Sequence, residues 1–329
     1  MENLHGRKFN TVHIVGAGWY GLHTARLLNG LGLDVVVHES RQSIFKGSSG
    51  YNQNRLHLGY HYPRDYKTRV QSRQGFNRFK AEYPNISQPL EKNWYAVHEK
   101  SILDFDTYRN IYAFEQYDFS IESPKELNLG RVINTNEEFI NPEVALGYFS
   151  SLGLNIQLNS LINEVTWNRL KKDSFVIDCT YGGLNFLSYP NHQQRHFLTF
   201  IIRNLTSELV FDALTVMDGE FYSIYPYKKN DDLFTLTGVV EGVLSCPKVS
   251  AKEVKRRYKA LTSKIIKDYP NFEIDFAFEG FFVSRKFLPI SNSDRRTTEF
   301  YRREGSLSII GGKIDTIFEI DEYIKNWNI

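Results

Sequence analysis

The chain has 329 residues, enough for about two compact units at roughly 150 residues each. Hydrophobic residues make up 41% and aromatic residues 15%, so a large core can be buried, and 40 basic against 38 acidic side chains leave none of the basic excess of a dedicated nucleic-acid or membrane-surface binder. Two cysteines, Cys179 and Cys246, exclude a disulfide framework or a zinc-ribbon cluster and fit a reducing, cytoplasmic compartment, and no apolar run reaches the roughly 18 residues of a membrane span.

The polar start, Met1 to Asn10, leads straight into a strand and does not read as a secretory signal. Thr11 to Val15 reads as a buried strand. A glycine turn follows, and Leu22 to Leu31 carries apolar residues at helical spacing. Leu33 to His38 is valine-rich, as a buried parallel strand is, and completes one βαβ unit. Asp65 to Tyr83 predicts a helix stopped at Pro84, Trp94 to His98 a strand, and Ser101 an N-cap for a helix reaching about Gln116. A second α/β passage begins near Glu138, with a helix from Pro142 to Leu152 and strands at Leu154 to Leu158 and Ser174 to Cys179. From His196 to Gly242, β-branched and aromatic residues alternate with polar ones, with turns at Asp218-Gly219 and Asn230-Asp231-Asp232; this predicts antiparallel sheet. A helix over Ala251 to Asp268, a strand at Leu307 to Ile310, a glycine pair and a terminal helix close the chain. Dinucleotide-fold segments thus stand at the start, middle and end. The expected division is 1–84, 138–187 and 286–329 for a discontinuous dinucleotide-binding unit, with 85–137 and 188–285 forming a substrate unit.

The strongest motif is Gly16-Ala17-Gly18-Trp19-Tyr20-Gly21. Gly16 permits the tight turn after the strand, Gly18 lets a phosphate approach the backbone, and Gly21 lets the helix pack close. The helix N-terminus offers free N–H groups and a positive dipole end to a pyrophosphate. Glu39, at the end of the second strand, can accept from a ribose diol, with Ser40 beside it.

Small residues from Gly47 to Gly50 let backbone wrap a cofactor, and their N–H groups can donate to phosphate or ring carbonyls. The whole stretch from Lys46 to Arg64, with Leu56-His57-Leu58-Gly59-Tyr60-His61-Tyr62-Pro63 at its centre, resembles the flavin-contacting segment of the D-amino-acid-oxidase-like superfamily. That superfamily includes glycerol-3-phosphate dehydrogenases, sarcosine oxidases and L-2-hydroxyglutarate oxidases. Asp178-Cys179-Thr180-Tyr181-Gly182-Gly183 resembles its strand-end turn that returns to the FAD. Gly311-Gly312-Lys313-Ile314-Asp315-Thr316 resembles its C-terminal flavin-binding turn. The resemblance implies FAD as cofactor and an α/β fold, Rossmann-like and of the glutathione-reductase type, with an inserted α+β substrate domain on an antiparallel sheet. It carries cofactor contacts onto Ser48, Ser49, Asn54, Arg55, Leu56, Thr180, Gly182, Gly311, Gly312, Lys313 and Ile314. Neither cysteine lies on the flavin loop, so covalent attachment is not expected.

Three groups of residues could carry chemistry beside the cofactor. His57, and after it His61, could take a proton from a substrate hydroxyl, hydrogen-bond the flavin, or simply pack. Tyr222, Tyr225 and Tyr227 fall near Pro226 on an edge or bulged strand; Tyr225 and Tyr227 share a face, to line the flavin pocket or to pack the sheet. Arg285, followed by Lys286, resembles the superfamily's substrate-carboxylate clamp, although its spacing from Gly280 departs from the usual pattern. The clusters at Lys252 to Arg257, Arg295-Arg296 and Arg302-Arg303 read as solvated faces, and no metal site is expected.

The leading expectation is an FAD-dependent oxidoreductase, an oxidase or dehydrogenase removing hydride from a C–N or C–OH bond of a small polar, anionic substrate. The alternatives are a flavin-dependent monooxygenase or sugar-nucleotide-modifying flavoenzyme, a non-catalytic FAD-binding subunit and, least fitting, an NAD-dependent dehydrogenase. The expected partners are a small-molecule substrate and an electron acceptor that the residues do not specify.

Overall fold

A computed structural model describes residues 9, 11–228, 231–290 and 297–326; Asn230 and Arg295-Arg296 lie outside them. Apolar strands from three separated stretches assemble one six-stranded sheet. In spatial order it runs β17 (Glu299–Arg303), β18 (Ser306–Ile310), β10 (Phe175–Asp178), β1 (Thr11–Val15), β2 (Asp34–His38) and β9 (Asn155–Gln157). Every pairing is parallel except β17 with β18. Every residue of β10 is buried, as are Val12, Ile14 and Val15 of β1, which explains their largely apolar composition. Helix α1 (Trp19–Gly30) follows β1 directly and completes the expected βαβ unit.

The second sheet has nine strands. They are β15 (Val243–Leu244), β11 (His192–Asn204), β14 (Leu233–Gly238), β13 (Tyr222–Lys228), β12 (Ala213–Met217), β5 (Asn93–Val97), β7 (Val132–Thr135) and β6 (Phe119–Glu122), with β16 (Phe276–Pro289) also paired to β11. It is antiparallel as expected, apart from β12, which runs parallel to β5. One face carries Leu198, Phe200, Leu214, Ile224 and Leu236 against the helix Ala251–Asp268. The other face is polar. Tyr95, Thr215 and Ser223 stand opposite one another on three neighbouring strands, and Thr237 and Thr199 extend the row. These side chains are buried, Thr237 in part, so something must cover them.

The cover is the segment after β2, which carries β3 (Arg55–Leu56). It pairs with β8 (Glu138–Ile140), which in turn pairs with β4 (Ser87–Pro89), a three-stranded sheet. Helix α2 (Tyr66–Glu82) begins after this segment, capped by Asp65 accepting from Thr68 N–H. One local expectation changes, and one helix comes in addition. Helix α3 (Phe105–Phe114) is capped by Asp104, not Ser101; Ser101 Oγ instead donates to the Met217 carbonyl and accepts from Asp218 N–H. The helix α5 (Glu164–Asp173), after α4 (Pro142–Ser151), buries one ring, Trp167, and so has little periodic signal.

Candidate active site

The glycine turn is held by close approaches. Gly16 has φ +103° and donates to the His38 carbonyl at 2.8 Å. A Cβ there would lie 2.9 Å from the Cys179 carbonyl oxygen, and one on Gly21 would run into the Gly16 carbonyl. Gly18 caps α1 without any side-chain hydrogen bond, and no acidic residue stands in the first turn. The Tyr20 and Gly21 N–H groups there have no intrahelical carbonyl to meet, so this end fits an anion. Trp19 N–H is already met by Ser49 Oγ at 3.1 Å, while the Trp19 ring packs among Phe45, Phe79, Tyr83 and Phe149. Glu39 accepts from Ala17 N–H and Arg41 N–H, each at 3.0 Å, and from Ser40 Oγ at 3.3 Å. Its carboxylate therefore steadies the turn and keeps lone pairs over, as a ribose diol requires.

The C-terminal turn is locked to α1. Tyr20 Oη donates to the Lys313 carbonyl at 2.8 Å and meets the hydroxyls of Thr316 and Thr298. Gly311 sits so close to the Tyr20 ring that any Cβ would enter it, and Gly312 faces Tyr181 Oη. Lys313 is buried, its Nζ 3.2 Å from Ser72 Oγ and 3.5 Å above the Tyr62 ring. Ile314 opens a short 3-10 turn, Ile314–Thr316, with Asp315 beside Lys313 at 3.8 Å. The third turn is built on Asp178: its Oδ1 accepts from Thr180 N–H and Thr180 Oγ1, and Gly182, at φ +71°, lies against the Phe287 ring.

Between these turns and the polar sheet face lies a buried charged cluster. Arg55 extends from β3 across the sheet. Its Nη1 donates to Thr215 Oγ1 at 2.7 Å, and its carbon Cζ rests 4.3 Å from the centre of the Tyr225 ring. Its Nε and Nη2 are buried without a partner, and so is Nδ2 of Asn54, a residue held at φ +52°. Leu56 beside them is fully buried core. Glu137, immediately before β8, is fully buried. Its Oε1 accepts from Leu58 N–H at 2.7 Å and Gly59 N–H at 3.2 Å, and its Oε2 from Tyr95 Oη at 2.6 Å. His57 Nδ1 stands 3.7 Å from Oε2. Burial works to raise the Glu137 carboxyl, but His57, Tyr95 and the Leu58 N–H outweigh it and lower its pKa to about 2. His61 neighbours His57, with ring centres 5.7 Å apart. Surrounding protein, then the neighbouring His57 and Arg55, push His61 well below the ordinary imidazole value, although its surface is accessible. A side chain both accessible and surrounded by protein lines an opening, so His61 and the half-buried His57 mark the wall of the site.

The other expected residues fall elsewhere. Tyr225 is fully buried, and its hydroxyl donates to the Glu138 carbonyl at 3.2 Å. Burial raises its pKa further from any useful range. The ring supports Arg55, and the hydroxyl meets a backbone carbonyl. Tyr222 faces away toward the apolar core, and Tyr227 packs on Phe282, beyond a bulge at Pro226. Arg285, on the long strand β16, donates from Nη2 to the Thr180 carbonyl at 2.6 Å and from Nη1 to the Gly182 carbonyl at 3.3 Å; its own carbonyl accepts from Ser48 Oγ. Its planar donors thus join β16 to the turn after β10. Lys286 lies over the Phe197 ring. Glu137 and Thr215, both central, carry no local signal: Glu137 lies 80 positions from its partner His57, and only the β3–β8 pairing brings them together.

Orphaned donors at Asn54 and Arg55, an uncapped helix start and three glycine-bearing turns form a set that fits a flavin dinucleotide. Residues 11–128 match the family described as FAD dependent oxidoreductase. The FAD-dependent monooxygenase FPY4 of Fusarium mangiferae is 31% identical over 337 residues, covering 96% of this chain and 90% of that protein. The FAD-dependent monooxygenase kojA of Aspergillus flavus is 25% identical, covering 95% and 84%. Among solved structures, the FAD-bound L-alpha-glycerophosphate oxidase of Mycoplasma pneumoniae superposes with a TM-score of 0.72 at 14% identity, covering 98% of this chain and 96% of that one. Glycine oxidase from Geobacillus kaustophilus gives 0.68 at 13% identity, covering 93% and 90%. These two likenesses bear on the fold.

Proposed function

Because the chain belongs to the FAD-dependent oxidoreductase family, of the D-amino-acid-oxidase-like kind, and is an FAD-using enzyme, we propose that it oxidises a C–OH or C–N bond of a small polar, anionic substrate. The single observation that carries this reading is the His57–Glu137 pair beside a buried cationic fork. FAD, when bound, accepts the hydride leaving the substrate carbon. Gly16, Gly18, Tyr20, Gly21, Glu39, Ser40, Ser48 and Ser49 would hold its dinucleotide portion. Asn54, Gly311, Gly312 and Lys313 would face its ring. His57 takes the proton of the substrate hydroxyl or ammonium at Nε2, the nitrogen on the ring edge away from Glu137. Glu137, kept ionised by its donors, orients that imidazole and stabilises its charged form. Tyr95, Leu58 and Gly59 hold Glu137 in turn. A division into a discontinuous dinucleotide unit and a substrate unit remains part of this proposal, and the presence of two large sheets supports it.

The experiment is anaerobic mixing of the yellow protein with amino acids, hydroxy acids, polyol phosphates and nucleotide sugars while following flavin bleaching. Reduction by a hydroxy or amino compound, much slower in His57→Asn, supports the reading; reduction unchanged in His57→Asn overturns His57 as the base. The names of the two curated relatives favour a second reading, a monooxygenase. Product analysis under labelled dioxygen separates the two: label enters the organic product only in a monooxygenase.

A further inference from the structure

We propose that the helix Ala251–Asp268, with the exposed apolar side chains on its flank, is a docking surface for an anionic lipid bilayer. The even charge balance of the whole chain, 40 basic against 38 acidic side chains, conceals a local excess: residues 248–267 hold eight basic side chains and one acidic, Glu253. Val254, Leu261 and Ile265 pack the helix onto the nine-stranded sheet, so its polar residues look outward. Lys252, Lys255, Lys259, Ser263 and Lys267 are all exposed. At 3.6 residues per turn they form one strip, about 22 Å long. Among the described residues, none of these four lysine ammonium groups has a hydrogen bond or an ion pair. Lys255 and Lys259 stand one turn apart and repel each other. A negative surface relieves that repulsion along the whole strip.

The chemistry of the free groups favours a bilayer. Both arginines of the helix are already engaged: Arg256 meets Glu253 through Nε and Nη2, each at 2.8 Å, and Arg257 donates to Glu253 at 2.7 Å and to the Glu241 and Val243 carbonyls at 2.8 Å. Lys264 is paired with the buried Glu241. The strip left over is lysine, compact charges on flexible stems, which suit a diffuse negative surface better than bidentate capture of single phosphates. The flank adds apolar groups. Tyr258 lies beside Lys255, three positions away, and carries the Phe278 ring at 4.9 Å between centres. Leu205 N–H donates to the Asp275 carbonyl at the end of the short helix Phe272–Asp275, which gathers Leu205, Ile274 and Phe278 in one corner. They are 58%, 72% and 45% exposed. Apolar side chains bared beside a lysine row match the boundary between headgroups and acyl chains, whereas a nucleic-acid duplex gives them nothing to enter. Glu279, next to Phe278, is neutralised by Arg203. Glu273, close enough to act on Tyr258, is exposed and opposes the contact. No helix among the described residues is long and apolar enough to cross a bilayer, so the contact is with its surface. The helix covers the apolar face of the nine-stranded sheet, so docking leaves the polar face, where the oxidation is proposed, uncovered.

The test is flotation of the FAD-loaded full chain with two kinds of vesicle, phosphatidylcholine alone and phosphatidylcholine mixed in equal parts with phosphatidylserine. The protein should float with the mixed vesicles, stay behind with the neutral ones, and be released as salt is raised. Replacing Lys252, Lys255 and Lys259 together by glutamine should lower the partition coefficient at least about tenfold. FAD content and melting temperature should not change, because all three side chains are exposed. The same replacement at Lys100, Lys172 and Lys325, exposed lysines elsewhere on the molecule, removes equal charge and should leave binding as it was. Glu273→Gln should strengthen binding, and Ile274→Asn should weaken it. No flotation with the mixed vesicles, equal flotation with both kinds, or equal losses in the two triple variants overturns the proposal. Binding unaltered in Ile274→Asn removes the bilayer as the occupant, since uptake of that side chain is what sets a bilayer apart. Retention of a duplex DNA fragment more tightly than the mixed vesicles, lost in the Lys252, Lys255 and Lys259 variant, overturns it in favour of nucleic acid.

Discussion

Glu137 shows how a carboxylate can be buried and stay charged. Its donors include two backbone N–H groups and a tyrosine hydroxyl, with His57 alongside. Its folded pKa, about 2, lies below its ordinary 4.5, so it contributes stability that is present above about pH 4.5 and is lost as pH falls toward 2. Glu137→Gln lacks that dependence. Melting temperatures measured between pH 6 and pH 2 should therefore fall more steeply in the wild type than in Glu137→Gln over the lower part of the range. The same variant should keep FAD and slow substrate-driven flavin reduction. Parallel melting curves across that range would show that the carboxylate is not held ionised. None of this was legible from sequence: Asn136-Glu137-Glu138 looks like any polar approach to a strand, and what distinguishes Glu137 is a pairing made across 80 positions. His57 and Arg55, by contrast, stood out because they lie inside a dense local motif.

Elements with local causes were read well. The strand–glycine–helix unit at Thr11 to Gly30 and the helix Ala251–Asp268 agree closely with expectation, because apolar spacing, glycine and a following proline are all contained in the element. Strand β16 was missed as a strand, since Phe278 to Phe282 reads as an aromatic run until β11 is seen pairing along nearly its whole length. The α1 N-terminus gives one test. Gly18→Val points its side chain at Ser49 Oγ, 2.7 Å from where the Cβ would stand, and at the approach expected for phosphate. FAD affinity should fall far more than the melting temperature of the cofactor-free protein; full FAD occupancy in this variant would move the phosphate elsewhere. The far end gives another. Gly311→Ala must displace the Tyr20 ring and should cost about 1–3 kcal/mol by denaturant unfolding. Pairing it with Tyr20→Phe should not restore stability, because ring carbons as well as the hydroxyl occupy the space and the ring carbons remain.

Across the whole molecule, the two large sheets meet where β16 passes the end of β10, and Arg285 is the clasp. Its guanidinium holds the Thr180 and Gly182 carbonyls while Ser48 grips its backbone. Arg285→Ala should lower stability by about 1.5–3 kcal/mol, the range for hydrogen bonds to a charged group, and loosen FAD through the turn it supports. Substrate-driven flavin reduction by the protein that remains loaded should be unchanged. Equal melting temperatures with impaired reduction would return Arg285 to the role its sequence context implies. The six-stranded sheet has a further consequence for how the protein is made. Its central strands come from residues 11–38 and 175–178, but β18 and the Gly311–Thr316 turn that fastens Tyr20 arrive about 290 residues after the glycine motif. A ribosome adding about 5–20 residues per second would hold the emerging N-terminal half for many seconds before its neighbours exist. The glycine loop is thus the first part of the cofactor site to be synthesised and among the last to be locked, so stalled or truncated chains ending before residue 298 should neither retain FAD nor escape recognition by chaperones.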